Sequence, residues 1–142
     1  MTRPAPWRLD PSAYPVGDEF GTRYQDLDPN GHLNNVAFAA LFENARVRIN
    51  RATRPRPANE RMMVASVTIA YLREGSFPEP VTICSGIGRI GSSSWTIEQA
   101  MFQADQCIAT CDTVVVCRTD DAAKPLRAEV RAELGSRMTR GG

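Results

Sequence analysis

The chain has a single histidine, His32, and that scarcity removes whole classes of chemistry. A multi-histidine metal centre is excluded, and any Ser-His-Asp relay would have to be built around this one imidazole. No run of apolar residues approaches the roughly 20 needed to cross a bilayer, so no membrane-spanning segment is expected. Neither sign of charge dominates. Seventeen Lys and Arg stand against sixteen Asp and Glu, and the net charge of +1 gives no footprint for nucleic acid or an anionic membrane surface. The opening MTRPAPWRLDPSAYP is basic but lacks an apolar core, so it does not read as a secretory signal and a cytoplasmic location is expected by default.

The chain also has only four cysteines, and their spacing is not that of a zinc knuckle. Cys107, Cys111 and Cys117 share the parity of one strand face, and Cys84 falls in another strand. Along a strand, Cys111 and Cys117 would stand about 20 Å apart, too far to bond each other. All four read as reduced core thiols.

What is present is enough for one folded domain: 142 residues, 42% of them apolar. Residues 1–15, with Pro4, Pro6, Pro11 and Pro15, read as an extended N-terminal arm pinned by Trp7. Residues 16–134 form the body, and residues 135–142 a flexible tail. Within the body, 16–26 reads as a first strand with Phe20 and Tyr24 on one face. A tight turn follows over Asp28–Gly31. Asn34 or Asn35 then caps a helix running to about Asn50.

That helix is apolar nearly all round its first three turns, so it is expected to be wrapped by other structure. Residues 51–61 form a basic, proline-containing loop. Beyond it the apolar period changes to two, and strands are predicted over 62–73, 80–90, 94–104 and 106–118. The connectors EGSFPE, GSS and DQ suit hairpins or tight loops. A short helix is predicted over 127–134. The order implies an α+β fold in which one antiparallel sheet wraps around one central helix.

The residues that carry chemistry lie just before that helix. Asp26, Asp28 and His32 sit in a turn that opens directly into the first helical turn. Free N–H groups there can hold a carbonyl oxygen as negative charge builds on it. A nearby carboxylate can attack that carbonyl or activate water against it. Read alone, an Asp before Pro-Asn-Gly is also an ordinary turn former.

The motif R-Y-x-D-x-D-P-x-G-H-L-N-N-x-x-F-x-x-L-F-E-x-A-R, from Arg23 to Arg46, resembles the signature of the hot-dog-fold acyl-CoA thioesterases of the 4-hydroxybenzoyl-CoA thioesterase family. The strand order and Lys124-Pro125 before the last helix fit the same family. The resemblance implies a hot-dog fold and hydrolysis of an acyl-CoA to free acid and CoA, with no cofactor. It implies Asp28 as nucleophile or general base, the Asn35 amide as the group that polarises the carbonyl, and His32 as a residue orienting substrate or water. Gly31, Ser92 and Ser93 become candidate substrate contacts, and Asp26 a structural residue. Glu43, on one helix row with Asn35 and Ala39, resembles the helix carboxylate of another hot-dog branch; otherwise it pairs with Arg46 or Arg23. The family also implies a homodimer or a dimer of dimers with the site at the subunit interface.

Other signals point away from rival chemistries. Gly86-Ile-Gly-Arg-Ile-Gly91 spells GxGxxG, but a strand follows it where a dinucleotide site needs a helix, so a hairpin with a bend is expected. Ser92-Ser93-Ser94 lacks the G-x-S-x-G of a nucleophile elbow. Arg51, Arg54, Arg56 and Arg61 suit phosphate oxygens or simply a solvated loop. The rival readings are an acyl-CoA or lipid binder without catalysis, an acyl-ACP thioesterase, and a hydratase. The last is disfavoured because its D-x-N-P-L-H spacing is not matched.

Overall fold

The computed structural model describes residues 3–53, 55–120 and 122–141. Strands β1 (Val16–Phe20), β2 (Glu60–Tyr71), β3 (Val81–Ile90), β4 (Ser94–Gln103), β5 (Gln106–Thr119) and β6 (Ala122–Ala123) form one antiparallel sheet. Two α-helices accompany them, α1 (Asn35–Ile49) and α2 (Ala128–Gly135). The sheet order is β1-β3-β4-β5-β2, with β6 pairing β5. The concave face of the sheet curls onto α1, as in a hot-dog fold.

Two apolar clusters run along the helix. Phe38 and Phe42 meet Phe20, Val81, Ile83, Met101 and Cys111 near its start. Ile49 meets Ile87, Trp95, Val115 and the α2 residues Val130 and Leu134 near its end. Alternation along β3, β4 and β5 supplies most of the sheet residues in them, because one side of each strand faces the helix.

Asn34 caps α1: its side-chain oxygen accepts the Ala37 N–H at 2.8 Å, so Asn35 is the first helical residue. The helix is not wrapped all round. Ala37, Phe38, Phe42, Ala45, Arg46 and Ile49 are buried, whereas Asn35, Val36, Ala39, Ala40, Glu43 and Val47 are exposed. The sheet covers one side only, and Val36, Ala39, Ala40 and Val47 on the other side stay exposed.

Four further expectations differ from the structure. The first strand stops at Phe20, and residues 24–26 turn in a 3-10 helix. The Asp26 carboxylate fixes that turn by accepting the Arg23 backbone N–H at 3.2 Å and its guanidinium at 2.7 Å. Phe20 therefore enters the core while Tyr24 is 74% exposed. Second, EGSFPE is no hairpin. It carries the chain from β2, at one edge, back to β3 across two intervening strands. Third, a register shift between Met101 and Phe102 pairs them with Ala109 and Cys107, so Ile108 is extra. Cys107 thereby turns to the outer face beside Trp7 and Cys84, while Cys111 and Cys117 face the helix. All four cysteines are free thiols, and burial pushes Cys84 up to about 11.

The fourth concerns the two ends. Residues 6–13 are not extended but form two 3-10 turns packed on the outer sheet face. Arg8 is buried there, 2.8 Å from Asp112, and its guanidinium donates to the Tyr14 hydroxyl at 2.9 Å. Residues 137–140, within the segment expected as a flexible tail, are held in place. Ile87 N–H donates to Arg137 O at 2.8 Å, Thr139 N–H to Ile87 O at 2.9 Å, and Arg140 N–H to Ala13 O at 2.8 Å. Gly86 makes this crossing possible. A β-carbon there would stand 2.6 Å from Thr139 Cγ2 and 2.8 Å from Pro15 Cδ. The GxGxxG stretch is thus a strand with glycines where two other segments pass close.

Candidate active site at the α1 N-terminus

The turn before α1 is cross-linked to itself. Asp28 N–H donates to His32 O at 2.7 Å, Gly31 N–H to Asp28 O at 3.0 Å, and Asn34 N–H to Asp26 O at 2.8 Å. Gly31 has φ +82°, a left-handed value that glycine takes without steric cost. The Asp28 side chain is half-buried and closes the same turn. Its Oδ1 accepts the backbone N–H of Asn30 at 2.8 Å and of His32 at 3.1 Å. Among the described residues its second oxygen has no partner. One oxygen is therefore fixed and the other is available.

The structure brings Asp28, Gly31, His32 and the start of α1 into one locality. The first N–H groups of a helix have no acceptor within it. Ala37 N–H is taken by Asn34 and Phe38 N–H by the Asn34 carbonyl at 3.2 Å, which leaves the Asn35 and Val36 amides at the open end of the helix dipole. The Asn35 and Val36 side chains are exposed. Arg23 holds the Asp26 carboxyl below the usual carboxylate range. That pairing and the capping contact engage both Asp26 carboxylate oxygens.

Two aromatic pairs involve residues that flank this turn in sequence. Phe38, buried, meets Tyr71 edge-on with centroids 5.2 Å apart, and Tyr24 meets Phe77 at 6.1 Å. A cavity of about 310 Å³ adjoins the first turns of α1, lined by Gly21, Arg23, Asp26, Ala37, Ala40, Leu41 and Asn44.

Other candidates lie elsewhere. Glu43 is on the exposed side of α1 with Asn35 and Ala39, 4.0 Å from the buried Arg46 guanidinium. Ser92 and Ser93 occupy the β3–β4 turn, beside β5 and α2. Their carbonyls accept Leu126 N–H at 2.9 Å and Cys117 N–H at 2.7 Å. The length of α1, about 22 Å at 1.5 Å per residue, separates them from Asp28 within one protomer. Arg51, Arg56 and Arg61 also lie beyond the end of α1, and Arg61 donates to Asp120 O at 2.8 Å. Arg54 is outside the described residues.

The sequence reading missed Glu74. It reaches His32 from the connection between β2 and β3, with its Oε2 3.1 Å from the imidazole Nε2. No motif or period marks that connection, so nothing in the sequence singles it out.

A family model described as the thioesterase-like superfamily matches residues 22–134. The chain belongs to the thioesterase-like superfamily. Three solved structures share its fold. A Pseudomonas aeruginosa protein is 25% identical, with TM-score 0.80 over 94% of this chain and 98% of that one. A predicted thioesterase from Bacillus stearothermophilus is 25% identical, with TM-score 0.82 over 89% and 98%. A Thermus thermophilus thioesterase, solved with coenzyme A and zinc, is 26% identical, with TM-score 0.75 over 87% and 94%. No curated protein sequence matches the chain. Membership in this superfamily supports thioester hydrolysis as the chemistry of the fold. No helix among the described residues is long and apolar enough to cross a membrane.

Proposed function

We propose that this thioesterase-like protein hydrolyses an acyl-CoA thioester at the α1 N-terminus, with Asp28 as the reacting carboxylate. The observation that carries the reading is the Asp28 turn itself. Two backbone N–H groups fix one carboxylate oxygen at 2.8 and 3.1 Å, and the other oxygen is unpartnered, among the described residues, in the turn that leads into α1. A carboxylate so held attacks the thioester carbonyl directly, or takes a proton from water as the water attacks. The Asn35 amide is the group that receives the carbonyl oxygen as charge develops on it. His32 orients the water or the substrate, and Gly31 keeps the backbone beside it open.

Coenzyme A in the Thermus thermophilus relative supports CoA as the carrier. Ser92 and Ser93, a helix length away, contact substrate only if the ligand is extended or a second protomer supplies them. A second copy also fits the uncovered surface. β2 is an edge strand with exposed Met63, Val64, Val67 and Tyr71. Such an edge invites pairing. A site between the protomers of a dimer or a dimer of dimers is therefore part of this reading.

The test is release of free thiol from a panel of aliphatic and aromatic acyl-CoAs, and from the same acyl groups on acyl carrier protein. Turnover of acyl-CoA by the wild type, and its loss in Asp28→Asn with the fold intact, is the expected result. Near-wild-type turnover in Asp28→Asn would remove Asp28 from the chemistry and leave Glu43→Gln as the next variant. Binding of acyl-CoA without thiol release would favour a non-catalytic binder.

A further inference from the structure

The only histidine of the chain is held by a residue that no part of the motif contains. His32 Nε2 lies 3.1 Å from Glu74 Oε2. A nitrogen this close to a carboxylate oxygen carries the proton, since two lone pairs would repel. In the neutral ring Nδ1 is then the unprotonated nitrogen, an acceptor.

The contact is built by the backbone on both sides. Leu33 N–H donates to Gly75 O at 2.9 Å, so the residues next to His32 and Glu74 are themselves joined. A β-carbon on Gly75 would stand 2.7 Å from Leu33 Cδ1 and 3.3 Å from Ile108 Cδ1, so any other residue there would have to displace the Leu33 side chain. Leu33 is 5% exposed, which anchors the turn from beneath. On its other side, the His32 backbone N–H donates to Asp28 Oδ1. Asp28 and Glu74, on segments distant in sequence, thus both reach His32, Asp28 through the backbone N–H and Glu74 by a 3.1 Å approach to the ring nitrogen.

Both side chains are partly exposed, at 37% and 74%, and an exposed ion pair of this kind adds little stability. Its value lies in orientation. We infer that Glu74 is a positioning residue for the reaction proposed above: it fixes the His32 ring and its Nε2–H tautomer, so that Nδ1 accepts a hydrogen bond from the attacking water while Asp28 acts on the carbonyl or the same water. This inference rests on the thioesterase reading of the site.

The single histidine makes the test direct. Imidazole 15N shifts separate a protonated nitrogen from an unprotonated one, and only His32 contributes. In the wild type at a pH where the ring is neutral, Nε2 is expected to be the protonated nitrogen. Glu74→Ala should convert it to a mixture of tautomers and lower kcat about tenfold, less than the roughly 10²–10⁴-fold that a proton-transfer group itself contributes, with KM little changed. Glu74→Gln keeps an acceptor oxygen and should retain the tautomer and most of kcat. A kcat in Glu74→Ala equal to wild type, an unchanged tautomer, or a loss confined to KM would overturn the inference while leaving the thioesterase reading in place. Absence of thiol release by the wild type on every acyl-CoA and acyl carrier substrate would remove that reading, and the catalytic meaning of the pair with it.

Discussion

Leu33 and Gly75 are the tightest approach between the turn that carries Asp28 and the connection that leaves β2: amide donates to carbonyl at 2.9 Å, with no room for a methyl group between them. Gly75→Ala must push Leu33 off a buried position. We expect a cost of about 1–3 kcal/mol, the usual range for overpacking, seen as a lower midpoint in thermal unfolding. An unchanged midpoint would mean the two segments are free to move apart.

The Asn35 amide can be deleted without changing the helix. Position 35 is the first helical residue, where proline is favoured, and Asn34 already has the extended backbone (φ −82°, ψ 163°) that precedes proline. Asn35→Pro should therefore keep the helical circular dichroism signal. It should lower kcat by about 10²–10³, the usual cost of one lost oxyanion donor. A folded Asn35→Pro protein with full turnover would assign carbonyl polarisation to another group.

Glu60 gives a pH dependence of stability. Its carboxylate is 1% exposed and meets Arg127 at 3.0 Å and Lys124 at 2.9 Å. The hydrogen bonds from Arg127, then those from Lys124, hold its pKa below the ordinary glutamate value. The group is thus more acidic folded than unfolded. Its contribution is complete above the unfolded pKa and is lost as pH falls through the folded one. Glu60→Gln should cost about 1–3 kcal/mol at neutral pH, and the gap to wild type should close in acid. A gap that stays constant with pH would refute this assignment.

The β2 edge predicts the assembly. Val67→Lys places a charge on the exposed edge strand without entering the core of the protomer, since Val67 is 45% exposed. We expect light scattering to give a dimer or larger for the wild type and a smaller species for the variant. A monomeric wild type would argue against a shared site.

Much of this fold was legible. A cap at Asn34 or Asn35, a helix to about Asn50 and the four long strands follow from capping chemistry and from the change of apolar period after residue 60, and the structure selects Asn34 as the cap. The Asp28 turn was legible because Asp, Pro, Asn and Gly each constrain the backbone. Strand order was not, because a period of two assigns faces and says nothing of neighbours; β2 and β3 follow one another in sequence yet lie at different places in the sheet. Cys107 shows a second limit. One extra residue at Ile108 reverses the parity of what precedes it, and no residue type announces the bulge. Tyr24 left the expected face because Asp26 closed a turn, a local hydrogen bond overriding alternation. Glu74 was invisible because its role depends on a contact across more than forty residues.

Gly141 lies flat on the indole of Trp7, with no space for a side chain between them, whereas Trp95 is sealed in the core. The protein therefore carries two intrinsic fluorophores in unlike settings. Peeling away the final residues would shift the emission of Trp7 alone, and only global melting would reach Trp95. Local opening at the outer face can thus be told from loss of the whole fold, with no added label.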